Sequence, residues 1–157
     1  MAAKLTGAGR YRDVLSMHDA GADHIFDFVD AGLPSTVCPE ALYRSAMTNL
    51  LSRISEIPAD VMVAEAGASP LEPYNGEAAT RLLEDTLRMM VLCASDPYAV
   101  VGMIQAFDRR PDLVAGVACN TQAGISLIDR LTGLPALRLI DPDSYAELDR
   151  MLTQKLT

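Results

Sequence analysis

No stretch of this sequence approaches the roughly 20 apolar residues that a membrane-spanning helix needs. No apolar N-terminal segment of signal-peptide type opens it either. Cysteine is scarce and scattered: Cys38, Cys93 and Cys119 lie far apart and form no C-x-x-C pair. That spacing argues against a disulfide framework or a thiolate metal knuckle and predicts reduced thiols, with Cys93 and Cys119 inside apolar core runs. Histidine occurs only as His18 and His24, with no cysteine or second close histidine to complete a zinc site. Basic charge is outnumbered, 13 Lys and Arg against 21 Asp and Glu, for a net charge of -8. Nothing offsets phosphate repulsion, which disfavours nucleic acid and anionic membrane surfaces as partners. Repeats, low-complexity tracts and linkers are also missing. The expectation is a cytoplasmic protein whose 157 residues form one domain with a proper core.

What is present is a rhythm of short apolar runs and amphipathic segments. Strands are predicted at 61–64, 89–94, 113–119 and 136–140, and helices at 76–87, 97–107, 123–131 and from 142 to 152. Short continuous apolar strands alternating with helices imply β-α-β units, hence an α/β fold with a mostly parallel sheet covered by helices on both faces. The first part is less regular. Residues 41–54 (ALYRSAMTNLLSRI) read as a helix after Pro39, residues 11–20 as another, and 24–30 as a short half-exposed strand. The opening KLTGAGRYRD reads as a turn after a strand with almost nothing before it. A strand of three residues is not expected to stand alone.

Ligands of parallel sheets bind beyond the carboxyl ends of the strands, and each predicted strand ends on polar residues: Glu65, Ser95-Asp96, Asn120-Thr121 and Asp141. A carboxylate closing a core strand needs a partner or an open cleft, so Glu65 either serves a site or caps the turn through backbone N–H groups. Asn120-Thr121 suits base recognition or a helix N-cap equally. Asp96-Pro97 and Asp141-Pro142 read as caps with Pro in the first turn. Arg10, Tyr11, Arg12 and Asp13 form either an anion clamp or a solvated first helical turn. The loop SPLEPYNG, residues 69–76, is more constrained than a connection requires, which suggests substrate contact.

The order of K-x-T-G-x-G-R-Y-R-D, D-A-G-A, V-A-E-A-G-A-S and V-A-C-N resembles dethiobiotin-synthetase-like P-loop NTPases of the SIMIBI class, from Lys4 to about Leu152. The resemblance implies Mg²⁺ and ATP as cofactors, a three-layer Rossmann-like sheet and a small carboxylate-bearing substrate. It makes Glu65 the Walker-B-like carboxylate that holds Mg²⁺. It places Gly67 beside the γ-phosphate or substrate, and Lys4, Thr6 and the Gly7–Gly9 turn with Arg10 toward the phosphates. Asn120, with Thr121 beside it, would meet the purine base.

The family's phosphate cradle, G-x-x-x-x-G-K-[ST], does not occur in these residues, and GAGRYRD lacks the Lys and hydroxyl at the right spacing. The expectation is therefore an incomplete, N-terminally truncated domain that binds a nucleotide without turnover of its own. The alternative is a non-catalytic half-domain that completes its sheet with a separate P-loop-bearing chain or by self-association. A Rossmann-like binder of another small molecule is a third reading, without the G-x-G-x-x-G that would support it.

Overall fold

The structure is a computed structural model, and it describes residues 1–67 and 69–156. The chain forms two compact units, Met1–Thr86 and Leu87–Thr157, and the α/β reading holds for both.

In the first unit the elements are β1 (Ala2–Thr6), α1 (Tyr11–Asp19), β2 (Ile25–Asp27), α2 (Glu40–Ile54), β3 (Val63–Ala66) and α3 (Gly76–Leu82). The three strands are parallel in the order β2-β1-β3. The opening segment, expected to be too short for a strand, is thus the middle strand, and every residue of it is buried. Pairing on both sides makes five residues enough, because each neighbour satisfies backbone groups that a lone strand would leave open.

Side-chain alternation along β1 sorts the layers. Ala3 and Leu5 enter a core with Tyr43, Met47, Leu50 and Ile54 of α2 and Ala78 and Ala79 of α3. Lys4 points to the opposite face and meets Asp13 in the first turn of α1. Helices therefore cover both faces of this sheet. Buried Tyr43 ties the layers by donating its hydroxyl to the Leu5 carbonyl at 3.1 Å, and burial pushes its phenol well above the usual range.

β3 begins at Val63, two residues later than the apolar run suggests, because its ladder starts where Ala2 pairs with Val63. That shift puts Glu65 inside the strand, directly opposite Lys4. The helix expected at 76–87 stops at Leu82 and gives way to turns, with the Glu84 and Thr86 N–H groups bonded to Arg81 and Leu83 carbonyls.

The second unit contains β4 (Val91–Cys93), α4 (Pro97–Phe107), β5 (Leu113–Ala115), α5 (Gln122–Thr132) and α6 (Tyr145–Leu156). β4 and β5 are parallel, and Val114, Val100, Ile128 and Leu134 fill the core beside them. The strand expected at 113–119 ends at Ala115. Gly116 turns the chain at φ 82°, against the Ala94 carbonyl, where a Cβ would sit 3.0 Å away. A 3-10 turn, Val117–Cys119, follows. The run 136–140 yields only a bridge between Ala136 and Val114, since the chain turns at Arg138–Asp141 instead of continuing. Cys119 is buried as expected, but Cys93 is exposed and Cys38 half-buried. No described helix is long and apolar enough to cross a membrane.

Candidate functional site

The carboxyl end of the first unit's sheet gathers most of the residues singled out in the sequence. Lys4 is only 4% exposed, so its ammonium needs a counter-charge. Its Nζ donates to Asp13, and Glu65 Oε1 lies 3.7 Å away across the β1–β3 ladder. One buried cation thus sits between two carboxylates that reach solvent, 26% exposed at Asp13 and 41% at Glu65. The Lys4 hydrogen bond, with Arg12 and Arg10 adding attraction, holds the Asp13 carboxyl below its ordinary value. Glu65 therefore ends the apolar run because its partner is a lysine on the neighbouring strand, and its carboxylate remains open to a ligand.

Two glycines let the strand ends approach. Gly7, at φ 102°, lies against Gly67, and a Cβ on Gly67 would meet the Thr6 carbonyl at 2.9 Å and Glu65 Oε1 at 3.1 Å. Thr6, fully buried, donates its hydroxyl to the Gly67 carbonyl at 2.9 Å. Lys4, Thr6, Glu65 and Gly67 are thus brought together at one end of the sheet. Arg10 stands exposed at the N-cap of α1 without a side-chain cap bond. Sequence reading missed Asp13 as the main partner of Lys4, and missed Thr36, which is buried and accepts from the Gly7 N–H at 3.4 Å. Their nine- and 29-residue separations from their partners carry no local signal.

Asn120 and Thr121 belong to the second unit. There they line a cleft of about 400 Å³ with Gln122, Arg138, Asp141 and Ser144. Thr121 is the N-cap of α5: its hydroxyl accepts from the Gly124 N–H at 3.1 Å. Thr121→Ala is expected to cost about 1 kcal/mol, measured as a shift in the chemical denaturation midpoint. Asn120 is exposed at the cleft mouth. Asp96 and Asp141 also prove to be caps, accepting from Tyr98 and Ala99 and from Asp143 respectively. The Ala99 N–H contributes most to holding the Asp96 carboxyl low.

Mg²⁺ takes hard oxygen ligands, keeps several waters and often uses one or two carboxylates plus ligand phosphates. A half-exposed glutamate at the end of a parallel sheet is chemically suited to that role. Among the described residues no group of three His, Cys, Asp or Glu side chains stands together as a ready-made metal cage. The chain matches no protein-family model, no curated protein and no solved structure.

Proposed function

We propose that this chain is a Mg²⁺-dependent nucleotide-binding domain, related to ATP-dependent ligases such as dethiobiotin synthetase, with no turnover by itself. The observation that carries the reading is the position of Glu65: a solvent-reaching carboxylate, steadied by a buried ammonium, at the carboxyl end of a parallel sheet. In this reading Glu65 holds the ion, directly or through water, and the ion when bound neutralises phosphate charge. Lys4 is engaged by two carboxylates, so its work is to orient Glu65. Gly67, braced by the buried Thr6 hydroxyl, and exposed Arg10 face the phosphate side, Arg10 through a fork that suits phosphate oxygens. A small carboxylate-bearing molecule is the second ligand the family resemblance implies, and the setting in this reading is cytoplasmic. The phosphate-cradling G-x-x-x-x-G-K-[ST] is not among these residues, so binding rather than phosphoryl transfer is the assigned activity.

A second reading is favoured by the sheet edges. Among the described residues β3 pairs with β1 and no other strand, and β4 with β5 and no other, and each open edge shows an apolar side chain, Val63 at 61% and Val91 at 41% exposure. Open, apolar edges are templates for a further strand. They fit a half-domain completed by a separate P-loop-bearing chain or by a second copy.

The test is a titration with a fluorescent ATP analogue in Mg²⁺. Glu65→Gln is expected to weaken binding at least about tenfold, the loss of roughly one charge-assisted contact. Asp13 still compensates Lys4 in that variant, so the fold persists. Equal affinity in wild type and Glu65→Gln would remove Glu65 from the ion's shell.

A further inference from the structure

Asn75 is one of two described non-glycine residues with positive φ, at φ 61° and ψ 28°. If only the left-handed backbone mattered, glycine would serve there without steric cost. The side chain has work of its own. Its amide nitrogen donates to the Thr36 carbonyl at 2.8 Å and to the Cys38 carbonyl at 3.0 Å, which uses both of its hydrogens. The backbone carbonyl of Asn75 accepts from the Ala79 N–H at 2.9 Å, which anchors the residue to the start of α3.

The bonds continue beyond Asn75. Thr36, with no exposed surface, accepts from the Gly7 N–H at 3.4 Å. Gly7 in turn abuts Gly67, whose carbonyl accepts the Thr6 hydroxyl. Thr36 and Cys38 lie in the segment after β2, Gly7 follows β1, and Gly67 and Asn75 follow β3. The Asn75 amide therefore ties the segment after β3 to the segment after β2, and the Thr36 hydroxyl passes that tie on to the segment after β1. Those segments form the surface on which a ligand of such a sheet rests.

We propose that Asn75 is a positioning residue: its amide locks the segments after β2 and β3 together, holds Thr36 where it meets the Gly7 N–H after β1, and so preforms the surface around Glu65. The arrangement itself stands on the hydrogen bonds; its benefit to ligand affinity rests on the nucleotide-binding reading above. A preformed surface spares the ligand the entropy of ordering loops.

Two variants separate the donor from the backbone. Asn75→Gly keeps the left-handed conformation and deletes the amide. Asn75→Asp keeps the shape and turns an acceptor toward two carbonyl oxygens. Hydrogen exchange of residues 35–38, with α2 as internal reference, is expected to quicken at least about tenfold in Asn75→Gly and further in Asn75→Asp. Mg²⁺-ATP affinity is expected to fall about tenfold in Asn75→Gly at a temperature where far-ultraviolet dichroism is unchanged. Unaltered exchange in the glycine variant overturns the latch, because conformation alone then explains Asn75. Faster exchange with unaltered affinity overturns its positioning role. If the wild-type chain binds no nucleotide, the nucleotide reading fails, and the exchange rates decide the latch by themselves.

Discussion

An Asp13→Asn/Glu65→Gln double variant is expected to lose about 3 kcal/mol of folding stability, the low end of the cost of stranding a buried charge. The stranded charge is the Lys4 ammonium, 4% exposed and held in the wild type between these two carboxylates. Adding Lys4→Met to the double variant removes that charge while keeping a side chain of similar length in β1. The triple variant should recover at least half of the loss, because replacing an entire buried ionic group by an apolar one is often neutral or better. A double variant as stable as wild type, by denaturant titration, would show that water already reaches the ammonium.

The same cluster has a pH signature. The Asp13 carboxyl is held below its ordinary value of 3.8, so its contribution is present above that pH. It is lost as pH falls through the lower, folded-state value, since the unfolded chain then binds the proton more readily. The acid limb of wild-type stability below about pH 4 should flatten in Asp13→Asn relative to wild type.

Gly124→Ala is the second large effect. Gly124 lies in the first turn of α5, where alanine would ordinarily gain about 1 kcal/mol of helix propensity. Here a Cβ would overlap the Ala118 carbonyl oxygen, a backbone atom that cannot swing aside. Relieving that overlap costs about 3 kcal/mol, so the net expectation is a loss of about 2 kcal/mol, seen as a lower midpoint. The strain falls on the 3-10 turn Val117–Cys119, and with it on Asn120 at the cleft mouth. A midpoint raised by the substitution would mean the turn yields freely.

Much of this architecture was legible along the chain. Helix α4 runs over the predicted residues, since Asp96 and Pro97 mark its start and the apolar stripe has one period. Helix α2 differs by one residue at its start. Strand ends were read less well, because apolar composition continues where the backbone turns. Val117 to Cys119 are as apolar as Leu113 to Ala115, yet Gly116 breaks the ladder. The sequence window also hid β1, because a five-residue strand is made stable by neighbours far along the chain. Of the site, Glu65 was found from the oddity of a charge closing a core run, and Lys4, Thr6 and Gly67 from motif order. Asp13 was visible only as part of a charged turn. Thr36 gave no sign, since a buried threonine in a loop is recognised by its partners and not by its neighbours in sequence. Asn75 stood out only as half of an Asn-Gly pair, a turn signal with no hint of its two carbonyl acceptors.

The most direct test of the central claim is a calorimetric titration of the purified, folded chain with ATP in the presence of Mg²⁺. A carboxylate-held ion beneath the phosphates predicts saturable heat that disappears when EDTA removes the metal. Heat that persists in EDTA, or none at all from a protein with intact secondary structure, would contradict a Mg²⁺-dependent nucleotide site at Glu65.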